Sequence, residues 1–156
     1  MDHIVRIVEG RVLLPAGPWG VLPDVHRENR GHDFYPPFTE LAGIPRLGST
    51  ADVPAPAKTL HIHYAIPDQS YDWYVAELDP TTGRAFGWLR AGGPYGEWGE
   101  FILGELETFV LPADPRDPRG RPAPPEPPAV PMLRLIQRDT GFRPTPAALC
   151  LPASTI

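Results

Sequence analysis

Cysteine is almost missing from this chain of 156 residues: Cys150 is the only one, so no intrachain disulfide can form. Cys150 sits in Ala148-Leu149-Cys150-Leu151-Pro152 with no histidine or acid beside it to lower its pKa, which argues against a nucleophile. Lysine is equally scarce. Only Lys58 occurs among the 14 basic residues, and the arginine-for-lysine usage, with 23 prolines and 15 glycines, reflects the coding bias of a GC-rich genome. Arginine content is therefore no sign of nucleic-acid binding, and a net charge of −5 opposes a general phosphate-backbone binder. No apolar run approaches the roughly 20 residues of a membrane helix. The first residues, broken by Arg6 and Glu9, lack the apolar stretch of a signal peptide. The expected location is the cytoplasm, with no membrane partner. There is also no Gly-x-Ser-x-Gly elbow and no phosphate-cradling glycine loop, and no cofactor is indicated.

What is present is a globular composition, 42% hydrophobic and 21% charged, at a length that suits one domain with its own core. Residues 4–8 and 11–14 flank Glu9-Gly10 and read as a hairpin. Three strands are expected at 59–66, 71–78 and 85–90, and a fourth at 97–101. Asp79-Pro80-Thr81-Thr82-Gly83 and Gly92-Gly93-Pro94-Tyr95-Gly96 form turns between them. Short turns between consecutive strands predict an antiparallel meander. Residues 103–110 have helical spacing, with Leu103 and Leu106 inward and Glu105 and Glu107 outside the apolar face. Nine prolines between Pro112 and Pro131 exclude a helix or an interior strand there and predict a Pro-rich surface loop. The expected fold class is α+β: a four- to five-stranded antiparallel sheet with one or two short helices on one face. The division is an N-terminal hairpin and irregular extension (1–37), a core domain (38–146, with the insertion 112–131) and a tail (147–156).

Three groups of side chains carry candidate chemistry. His61 and His63 alternate on one strand and are expected to share a face while Leu60, Ile62 and Tyr64 face the core. They can supply two metal ligands, with Asp72, Glu77 or Asp79 as a third; two imidazoles on a solvated strand face are the simpler reading. Paired carboxylates, Glu77 with Asp79 and Glu97 with Glu100, are the acid–base candidates. Glu77, Asp79, Glu97 and Glu100 flank strand ends, where structural roles suffice. The aromatics are the third group. Trp73 and Val75 are expected to share one sheet face with Glu77, and Tyr74 and Ala76 the other with Leu78. Core packing accounts for most of them, and an exposed subset around Trp73, Trp88 and Trp98 would form a protein-binding patch.

An ordered series of residues adds a resemblance. Ile44-Pro45, Leu47 and Thr50 are followed by Asp72-Trp73-Tyr74-Val75, Glu77 and Asp79-Pro80, then by Ala85-Phe86-Gly87. Glu97-Trp98-Gly99, Phe101, Leu103, Glu105-Leu106-Glu107, Arg138-Asp139 and Phe142 complete the series. It resembles a bacterial family of unknown function whose members occur on plasmids, phages and integrative elements, some near antirestriction genes. The likeness covers residues 38–111 and 132–146. Ile102 stands where the family favours a serine that would cap the following helix, and the Pro-rich stretch replaces a short Gly-Leu-Pro link. The resemblance brings Arg138 and Asp139 forward, either to anchor the C-terminal strand against Glu77 or Glu97 or to line a cleft with Trp98. Together these features point to a non-enzymatic protein-binding or accessory protein of a mobile element. A small metal-dependent or acid–base enzyme using His61, His63 and Glu77 is the alternative, and a nucleic-acid-binding module a third. A protein partner is expected, with a homodimer through the N-terminal hairpin as one form of it.

Overall fold

β-Branched and aromatic residues recur with period two between residues 59 and 102, and in the computed structural model they form the centre of the fold. The structure describes residues 6–8, 11–13, 22–67, 69–111 and 134–152. In chain order the elements are strands β1 (Arg6–Val8) and β2 (Arg11–Leu13), then helices α1 (Arg27–Arg30) and α2 (Phe38–Ala42). Strands β3 (Thr59–Leu60), β4 (Ile62–Ile66), β5 (Tyr71–Leu78), β6 (Arg84–Ala91) and β7 (Glu97–Ile102) follow. Helix α3 (Leu103–Thr108), strands β8 (Val110–Leu111), β9 (Arg134–Leu135), β10 (Gln137–Arg138) and β11 (Thr145–Pro146), and helix α4 (Ala147–Cys150) complete the elements of the described residues.

The expected α+β fold is present. Strands β10-β4-β5-β6-β7 form a five-stranded antiparallel sheet, a meander to which β10 adds an edge strand. The first two strands pair as a hairpin in a sheet of their own. The Pro-rich stretch lies outside the described residues. Asp79 and Gly83 close the β5–β6 turn as their residue types require: Asp79 Oδ1 accepts the Thr81 N–H at 3.0 Å, and Gly83 adopts φ +77°.

Both faces of the sheet are covered. One carries the larger core, where Leu41 of α2 and Leu103 and Leu106 of α3 meet Ile62, Tyr64, Trp73, Val75 and Leu78. The other carries a smaller core of Leu60, Ala76, Trp88, Ala147 and Leu151. The α-helices among the described residues are all short, and α4 packs on the face opposite α2 and α3.

Two expected phases are corrected by backbone irregularities. The stretch 59–66 is not one strand. It breaks at His61, so Leu60 packs into the smaller core while Ile62 and Tyr64 pack into the larger. In β5 the register slips between Val75 and Glu77, a bulge at Ala76. One extra residue reverses alternation, so Leu78 joins Trp73 and Val75, and Glu77 leaves that face. Glu107, expected outside, is fully buried. Arg30 explains it: Arg30 Nη1 donates to Glu107 Oε2 at 3.1 Å, both side chains are wholly buried, and Arg30 Nε donates to the Ile136 carbonyl at 2.9 Å. An acid forms part of this interior because a guanidinium from α1 meets it there with its donors occupied.

Candidate functional site

The bulged strand and its neighbours determine which polar groups meet. His63 pairs across the sheet with Tyr74, Asp72 with Arg90, and Tyr74 with Trp88, which puts these side chains on one face. There His63 Nε2 lies 2.8 Å from Asp72 Oδ1, and its ring stacks on Tyr74 with centroids 4.2 Å apart and planes 6° from parallel. Arg90 grips the other oxygen of Asp72, with Nε at 3.0 Å and Nη2 closing the fork. On its far side His63 Nδ1 faces Asp139 Oδ2 at 3.2 Å. Asp139 arrives there because its N–H donates to the His63 carbonyl at 2.8 Å, continuing the β10–β4 pairing. The edge of Phe142 closes over both His63 and Tyr74.

Burial alone would raise the Asp72 carboxyl. Hydrogen bonds from His63 and the Arg90 guanidinium outweigh it and hold the group below the ordinary carboxylate range. Burial pushes the Tyr74 phenol up to about 12, with the Asp72 charge adding to the effect. Both ring nitrogens of His63 are thus engaged, Nε2 with Asp72 and Nδ1 with Asp139. This arrangement ties the segment after β10 to the sheet. Acid–base work by His63 would first require Asp72 or Asp139 to release one of the two ring nitrogens.

His61 stands apart. Its backbone N–H donates to the Val75 carbonyl at 2.8 Å at the break between β3 and β4. Its Nε2 is buried without a hydrogen-bond partner, and burial lowers its pKa. Glu77 is also elsewhere. Its oxygens accept the Gly48 N–H at 2.7 Å, the Thr50 N–H at 3.1 Å and the Thr50 hydroxyl, while Lys58 donates to Thr50. Burial raises the Glu77 carboxyl, but these hydrogen bonds outweigh it and depress its pKa. His61, His63 and Glu77 therefore do not converge, and among the described residues no three His, Cys, Asp or Glu side chains gather at metal-ligand spacing.

The tryptophans divide differently from the expected patch. Trp73 and Trp88 are buried in the larger and smaller cores respectively, so neither presents its ring at the surface. Trp98 packs half-buried against the smaller core with its ring stacked on Phe86. Large apolar side chains exposed among the described residues are Tyr95, Phe109 and Leu149.

No family model, curated protein or solved structure matches this chain.

The concave feature beside the His63 cluster is a cleft of about 390 Å³. Pro36, Pro37 and Glu40 form one wall, His61 and Ile62 the floor strand, and residues 138–143 the other wall. Arg138 and Asp139 line this cleft beside His61 and Phe142, and Trp98 is not among its lining residues. Their partners are Asp33 and His63: Arg138 Nε donates to the Asp33 carbonyl at 2.9 Å, and neither Glu77 nor Glu97 takes part. Residue types alone do not reveal this cleft, because its walls are about a hundred residues apart in the chain.

Among the described residues, no helix is long and apolar enough to cross a membrane.

Proposed function

We propose that this protein is a non-enzymatic binding protein that acts through protein contact, with the cleft between the Pro36–Pro37 corner and the 138–143 turn as its contact site. The cleft itself is the observation that carries this reading. Its volume lies in the range of ligand-accepting clefts. It is walled by segments distant in sequence, and it combines apolar surface from Pro37 and Phe142 with charge from Glu40, Asp139, Arg138 and Arg143. The acids considered for catalysis support the same view, since Asp72 and Glu77 are each saturated by intramolecular donors. The resemblance to proteins of mobile elements favours a partner encoded by such an element or its host.

A photo-crosslinking residue at Thr140, exposed on the cleft rim, tests the reading against one at Leu149, exposed beside the other core. The expected result is a discrete protein adduct from position 140 in producing cells, lost when Arg143→Glu is added, and none from position 149. The adduct mass distinguishes a second copy of the chain from a different protein. Adducts from both positions alike, or from neither, would remove the cleft as the contact site.

A further inference from the structure

We infer that the cleft recognises an acidic peptide segment, with a carboxylate held between Arg138 and Arg143 and the peptide's N–H groups facing Glu40. This inference rests on the binding function proposed above and names the chemistry of its ligand. Arg138 and Arg143 both line the wall formed by the 138–143 turn. Both are oriented by backbone carbonyls rather than by carboxylates: Arg138 Nε donates to Asp33, and Arg143 Nη1 to Phe142 at 3.1 Å. A guanidinium fixed in this way retains a planar fork suited to a carboxylate.

The acid between them is drawn aside. Asp139 turns Oδ2 to His63, and its Oδ1 accepts the Gly141 N–H at 3.1 Å. His61, whose half-buried imidazole favours the uncharged form, adds surface without adding charge. Glu40 then selects among anions. A phosphate or a nucleic-acid backbone brings only negative charge to a cleft that already holds Glu40, in a chain of net charge −5. A peptide brings a carboxylate for the arginine wall and N–H donors for Glu40. Its side chains find Phe142 and Pro37.

Backbone amide NMR of the full chain tests this with three probes: the capped tripeptide Ala-Glu-Ala, its Ala-Gln-Ala counterpart, and inorganic phosphate. Expected are saturable shifts at Thr140, Gly141, Phe142 and Arg143 with the glutamate peptide, at least about tenfold weaker with the glutamine peptide. Arg138→Gln and Arg143→Gln each weaken the glutamate peptide, and Glu40→Gln brings phosphate binding up. Both arginine variants are read beside unchanged shifts at the Asp79–Gly83 turn, which reports an intact fold. Equal response to both peptides, response to phosphate alone, or no response overturns the inference. A partner adduct at Thr140 without any peptide response would leave the binding site standing and remove only its carboxylate chemistry.

Discussion

Gly87 lies opposite the bulge of β5, and a Cβ built on it would stand 1.7 Å from the Tyr74 carbonyl oxygen and 3.2 Å from the Ala76 nitrogen. Both neighbours are backbone atoms of the adjoining strand, so relief requires the strands to separate. Gly87→Ala should therefore cost at least about 3 kcal/mol in chemical denaturation. Gly93→Ala, whose added methyl meets open space, should stay within about 0.5 kcal/mol of the parent. The Arg30–Glu107 pair gives a second residue-scale outcome. Glu107→Gln keeps the shape but leaves a wholly buried guanidinium without its counter-charge, an expected loss of about 3–5 kcal/mol. Adding Arg30→Met should recover much of that loss, because the unpaired charge is then gone. Neither position could be ranked from residue type alone. Gly87 is one of 15 glycines, and Glu107 sits on the polar side of a helical wheel until a partner 77 residues away in sequence is known.

Strand β5 concentrates what alternation could and could not convey. Its existence, limits and turn were legible from aromatic and β-branched residues followed by Asp79-Pro80. Its phase beyond Val75 was not, because a bulge leaves no residue-type signature when the inserted residue is alanine. The same holds at His61, where a break in pairing sends Leu60 and Ile62 to opposite cores. The candidate site suffered accordingly. His63 and Asp72 were both visible as chemistry-bearing residues, but their meeting depends on cross-strand register; the bulge turns Glu77 off the Trp73 face, and the Gly48–Thr50 loop takes its oxygens. Strand β5 also carries two carboxyls, Asp72 and Glu77, that the fold keeps ionised more readily than an unfolded chain does. Their contribution to stability is complete above the ordinary carboxyl values of 3.8 and 4.5, and it is lost as pH falls through the lower folded values. Urea titrations from neutral pH down to about pH 2.5 should show the parent losing stability below about pH 4. Asp72→Asn and Glu77→Gln should each start less stable at neutral pH and lose less on acidification.

At the scale of the whole molecule, the five-stranded sheet sits between two cores, and the chain passes from one to the other at His61 and again after β10. The α+β class and the meander followed from strand spacing and turn chemistry. The second core did not, because Ala147 and Leu151 look like an unremarkable tail until Thr145–Pro146 pairs with Thr59–Leu60 and brings them over Trp88. One pairing has a further outcome. Strands β8 and β9 pair Leu111 with Arg134, so the two ends that the 22 residues from 112 to 133 connect lie side by side. Closing a loop costs little more as it lengthens, about 0.6 kcal/mol per doubling. Replacing those residues with a four-residue turn should thus raise stability by only about 1.5 kcal/mol in a denaturation series. The β8–β9 pairing consequently marks a graft point: its two ends sit side by side, so a spliced-in domain whose own termini are neighbours would span them without stretching the sheet.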